Sequence, residues 1–134
     1  MTLESTLSDE EFLSAFLTCR LAPALFNHRA HVRTAWLMLE RHPLPEATEA
    51  ICEGIRRYAA HVGAPDKYNR TLSEALVRLI AARARRADWS QFIAAHPELL
   101  SDVRTLLADH YSPERLFSAA ARQQFLEPDR APLP

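Results

Sequence analysis

The sequence predicts an all-α fold: an up-down helical bundle with shorter C-terminal helices packed across it. Three observations predict it. Alanine and leucine, both strong helix formers, fill 41 of the 134 positions. Only two glycines occur, Gly54 and Gly63, and there is no Asn-Gly or Asp-Gly hairpin turn and no clean alternating run. The prolines fall between segments of helical periodicity rather than within them.

Each element is justified by its punctuation. Ser8-Asp9-Glu10-Glu11 reads as a capping box, with Leu7 and Phe12 placed for a hydrophobic staple. The helix it opens is expected to run to about Arg20, with Phe12, Leu13, Phe16 and Leu17 on one face. After Pro23, Asn27 caps a second helix to about Arg41, with Val32, Ala35, Trp36 and Leu39 inward. Pro43 and Pro45 introduce a third, from about Glu46 to Val62, striped by Ile51, Ile55, Tyr58 and Val62. Gly63 is its C′ residue. Gly54 in mid-helix costs about 1 kcal/mol against alanine and so predicts a close helix approach. Thr71-Leu72-Ser73-Glu74 reads as a second capping box, opening a helix with Leu72, Ala75, Leu76, Leu79 and Ile80. Asp88 caps a short helix through Ala95, Pro97 opens another carrying Leu99 to Leu107, and Ser112-Pro113 opens the last, through about Phe125. The expected organisation is one helical domain, residues 1–126, followed by a flexible tail, 127–134, whose prolines forbid a helix.

Composition excludes several classes. A net charge of −1 argues against a broad nucleic-acid or membrane footprint. Arg78, Arg83, Arg85 and Arg86 form a basic run that suits the C-terminal end of a helix dipole and reads as a solvated face. No apolar stretch approaches the roughly 20 residues that span a bilayer, and the acidic start MTLESTLSDEEF is no signal peptide. Cys19 and Cys52 lie on apolar helix faces without metal spacing, as buried free thiols of a reducing compartment do. A cytoplasmic protein is expected. No phosphate loop, nucleophile elbow or paired-cysteine motif occurs.

One stretch, Asn27-His28-Arg29-Ala30-His31-Val32-Arg33-Thr34-Ala35-Trp36, points to a site. Residues three apart on a helix share a face, so His28 and His31 can aim at one spot. The positive end of the dipole keeps both rings neutral, as a metal ligand or proton acceptor must be. The same spacing also suits a plain polar helix start. In an up-down bundle His61, at the end of the third helix, and the loop Gly63–Arg70 fall at the same end. His28, His31 and His61 are then candidate ligands for a divalent transition metal. Tyr68, Asn69 and Thr71 are candidate ligand-binding groups, with Arg29 and Arg33 at the pocket mouth. A bound anion, or a carboxylate from another helix, would offset those two cations at a helix start. Tyr68 also suits a core ring with its hydroxyl tied down, and Thr71 a cap.

The pattern H-x-x-H-V-R-x-A-W, followed by Gly63-Ala64-Pro65-Asp66-Lys67-Tyr68-Asn69-Arg70-Thr71-Leu72-Ser73, resembles an uncharacterised family of small bacterial helical proteins. Only those two stretches carry the resemblance specifically, although its general pattern spans about Phe26 to Phe125. It implies a histidine and a glutamate where this chain has Asn69 and Arg70. Such a histidine would complete a three-histidine set, whereas asparagine is a poor ligand for zinc or iron. The expected function is a His-containing polar pocket that binds a metal ion or small anionic ligand, with general acid–base chemistry through His28 or His31. The alternative is a helical protein–protein interaction module, such as a homodimer, without catalysis.

Overall fold

The computed structural model describes residues 7–83 and 88–134, and every regular element among them is helical. Residues 1–6 and 84–87, including Arg85 and Arg86 of the basic run, lie outside the described residues. Where one domain is expected, the chain forms two compact units, Met1–Lys67 and Tyr68–Pro134.

The first unit holds α1 (Asp9–Leu17), α2 (His28–Arg41) and α3 (Leu44–His61), all three in mutual contact. Its caps are those the sequence announces. Ser8 and Glu11 exchange the two hydrogen bonds of a capping box, each 3.1 Å. Asn27 Oδ1 accepts from Ala30 N at 2.9 Å. Gly63, at φ +77°, closes α3 with Ala64 N donating to Ala59 O. The same motif ends α1 three residues early. Cys19 takes the left-handed conformation at φ 58°, and Arg20 N donates to Ala15 O. Cys19 is therefore a half-buried helix terminator rather than a residue on an apolar helix face, while Cys52 is buried as expected. Gly54 faces α1: a Cβ there would stand 2.8 Å from Phe16 Cε2. Val62, expected at the end of the α3 stripe, is exposed to 38%.

The second unit holds α4 (Arg70–Ala81), α5 (Trp89–Ala95), α6 (Glu98–Ser101), α7 (Val103–Ala108), α8 (Pro113–Leu116) and α9 (Ala119–Gln123). α4 packs on α7 and α9. Ala75, Leu79, Leu107, Tyr111 and Leu116 form its apolar cluster. Asp88 and Gln91 make the capping box of α5. Two segments expected as continuous helices are broken. Asp102 leaves helical geometry between α6 and α7. Ser118 interrupts the last by accepting from Ala121 N and donating to Arg115 O.

The segment expected to be a flexible tail is tied down. Ser112 N and Oγ donate to Asp129 at 2.8 and 2.6 Å, Arg115 Nε donates to Glu127 O, and Arg130 N donates to His110 O. Leu133 packs on the apolar cluster. Its prolines do forbid a helix, but extended chain can still be held by side chains that reach its backbone.

Candidate functional site

α2 begins at His28, and its first turn presents His28, Arg29 and His31 with no acidic residue. His31 sits in an aromatic cluster. Its ring stacks on Phe26 at 4.1 Å between centroids, Phe26 stacks on Phe16 at 4.9 Å, and Tyr58 meets Phe26 edge-on at 4.7 Å. Tyr58 in turn donates its hydroxyl to Leu21 O at 2.6 Å, which ties the chain after α1 to α3. The loop between α1 and α2 thus supplies the ring on which His31 lies.

Burial lowers the His31 pKa from 6.5 to about 4, and the neighbouring His28 pushes it the same way. The ring is neutral at physiological pH. That agrees with the charge state expected at a helix start, although desolvation is the larger cause. The influence of His28 on His31 is what residues on one helix face should show.

The other candidates have different roles. Arg33 is buried. Its Nη2 donates to Asp9 Oδ1 at 2.8 Å and to Leu7 O, and its guanidinium lies 4.6 Å from the Phe12 ring centroid. It clamps the start of α1 onto α2, so the carboxylate that offsets its charge comes from another helix and Arg33 is no pocket-mouth residue. Arg29 is half-buried and keeps its place in the first turn. His61 is exposed at the last turn of α3. Among the described residues no three His, Cys, Asp or Glu side chains come together to hold a metal, so the expected set of His28, His31 and His61 is not assembled.

Tyr68, Asn69 and Thr71 belong to the second unit. Asn69, not Thr71, caps α4: its Oδ1 accepts from Leu72 N at 3.0 Å, while Nδ2 donates to Leu116 O at 2.8 Å. Thr71 is buried and its hydroxyl bridges to the distant segment, donating to Gln124 O and accepting from Leu126 N. Glu74 is not a capping-box partner either. It lies between Arg70 and Arg78, one turn to each side, with contacts of 2.8 and 3.1 Å. Both amide and hydroxyl groups are therefore committed to holding the unit together. Tyr68 is half-buried where that unit begins.

Sequence reading missed a cavity of about 380 Å³ bounded by Arg78 and residues 127–133. No local signal marks it: Pro128 and Pro132 show only that the segment is not helical. The guanidinium of Arg78 lies 4.7 Å from the Phe125 ring centroid, and Arg130 Nη1 donates to Ala108 O. The two hydrogen bonds from Ser112 hold the Asp129 carboxyl below its usual pKa. Arg83 pairs with Glu98 at 3.0 Å and donates to Leu79 O, so part of the basic run is internally neutralised. No helix among the described residues is long and apolar enough to cross a membrane.

No family model matches this chain, and no curated protein or solved structure matches it either.

Proposed function

We propose that the first turn of α2 binds a small anionic ligand, held by His31 with His28 and Arg29 beside it. The observation that carries this reading is the placement of His31. It is a neutral imidazole fixed face-on to Phe26 in a helix turn that holds a cation, the positive dipole end and no acid. A ring clamped in this way is oriented before any ligand arrives, which lowers the ordering cost of binding. An anion is favoured over a metal ion because no third His, Cys, Asp or Glu joins the pair among the described residues. Binding is favoured over acid–base catalysis, because a base of pKa about 4 is poorly matched to proton abstraction near neutral pH. The two free cysteines support a reducing, cytoplasmic setting.

Thermal melts in inorganic phosphate test the reading, with zinc as a separate arm. Phosphate at several millimolar should raise the wild-type Tm, and His28→Gln or Arg29→Gln should remove that rise. Zinc should leave the Tm unchanged. No rise in the wild type, or an equal rise in all three proteins, would overturn it.

A further inference from the structure

The second unit grips part of its own chain as a binding module grips a peptide. After α9 the chain contains no helix to its end: Gln124 is extended at φ −146° and ψ 158°, and the backbone bends at residues 129–131. Side chains from the helices and their connections reach main-chain groups along it. Thr71 of α4 donates to Gln124 O at 2.8 Å and accepts from Leu126 N at 3.1 Å. Tyr111, after α7, donates to Leu126 O at 2.7 Å, and burial pushes its pKa up to about 12, so the phenol keeps its proton. Arg115 of α8 donates to Glu127 O at 2.6 Å. His110 Nδ1 hydrogen-bonds Ala131 O at 3.0 Å, and the His110 carbonyl accepts from Arg130 N at 2.9 Å.

Bonds to the main chain require an extended segment and almost nothing of its sequence. Pro128 and Pro132 supply that extension without leaving a donor unsatisfied. Two side chains add a preference: Asp129 receives both hydrogen bonds of Ser112, and four residues on Leu133 packs on the cluster of Leu79, Leu107 and Tyr111. Main-chain bonds for affinity and spaced side-chain contacts for selectivity are the elements of extended-peptide recognition.

We propose that α4, α7, α8 and the His110–Tyr111 connection form an extended-peptide site whose resident ligand is segment 124–133, and that the same segment of a second copy takes its place by exchange. The second copy is the occupant that satisfies every contact above, because it carries the identical segment. Within one chain the tether gives the resident an effective concentration of order millimolar, so exchange shows when the resident is loosened or the protein is concentrated. This inference does not depend on the anion site of α2.

Two measurements test it. The first uses full-length chain carrying Asp129→Ala and Leu133→Ala, with a labelled peptide of residues 124–134. The variant, helical by circular dichroism, should bind the wild-type peptide at micromolar concentration, and a peptide with the same two substitutions at least tenfold more weakly. Wild-type chain should bind the peptide at least tenfold more weakly than the variant does. If the double variant loses its helicity, Leu133→Ala alone carries the same comparison. A folded variant that ignores the peptide to 1 mM, or binds both peptides equally, overturns the proposal. The second measurement mixes Ser112→Cys chains with Asp129→Cys chains, both in a Cys19→Ser background. Exchange should give a disulfide-linked heterodimer whose yield rises with concentration. Its absence, where both substitutions in one chain do form the internal disulfide, overturns exchange with a second copy. If that internal disulfide fails to close, the peptide result decides alone.

Discussion

His31 shows how one residue converts burial into a pH dependence. Its folded pKa lies near 4 against 6.5 for the free side chain, so the unfolded chain binds a proton first as pH falls. The stability it contributes is complete above pH 6.5 and is lost progressively down to about pH 4. The difference in pKa corresponds to about 3 kcal/mol. His31→Phe keeps a ring against Phe26 and removes the titration. Denaturant melts between pH 7 and pH 4 should fall less steeply for His31→Phe than for wild type, by a margin of that order. Equal slopes would show that the ring is not desolvated. This outcome separates the structural part of His31 from its proposed part in binding, which the phosphate melts address.

At the scale of helices, the close approach of α1 and α3 rests on one missing methyl group. Gly54→Ala should gain about 1 kcal/mol of helix propensity. The new Cβ would meet the end of the fully buried Phe16 ring at 2.8 and 2.9 Å, and that ring is held by its stack on Phe26. Overpacking of this kind costs about 1–3 kcal/mol, so the net change should be destabilising. Pairing Gly54→Ala with Phe16→Leu should recover part of it, and urea melts of the three variants check both statements. In the second unit, Thr71→Val removes a donor to Gln124 O and an acceptor for Leu126 N while keeping the shape of the side chain. It should cost about 2 kcal/mol by the same measurement.

The helices were legible because their ends are encoded within three or four residues: Ser8 with Glu11, Asn27 alone, Asp88 with Gln91, and Gly63 past the end of α3. At α4 the sequence pattern pointed to the wrong residue. It reads Thr71 as the cap, whereas Asn69, two residues earlier, accepts from Leu72 N and Thr71 bonds a partner 53 residues away. The same distance explains the misjudged tail. Nothing local marks Asp129 as the partner of Ser112 or Leu133 as a residue that packs on the apolar cluster. The candidate site was half legible for a related reason: helical spacing placed His28 and His31 together, but pairing Arg33 with Asp9 needs the crossing of α1 on α2.

For the molecule as a whole, helical caps and an alanine- and leucine-rich sequence lead to one spectroscopic expectation. Far-ultraviolet circular dichroism should show a helical spectrum without a strand component, and a strand-dominated spectrum would contradict the fold. The two units differ in how far along the chain their stabilising bonds reach. In the first, hydrogen bonds among the described residues join Arg57 to Leu17 O and Tyr58 to Leu21 O, spans of 40 and 37 residues. In the second, the bonds of Thr71 span 53 and 55 residues. Long spans delay closure, since the loop entropy is lost before the contact forms.

The grip of Thr71 on residues 124 and 126 therefore sets an order of events on the ribosome. Every partner in the contacts of α1, α2 and α3 described here has been made once residue 67 leaves the exit tunnel. α4, in contrast, emerges with its first-turn threonine bonded only to water and its apolar face uncovered, and it waits through the synthesis of more than fifty further residues. At about 5–20 residues per second that wait lasts seconds, long compared with helix formation. The second half of the nascent chain is thus the one that keeps apolar surface open longest during synthesis.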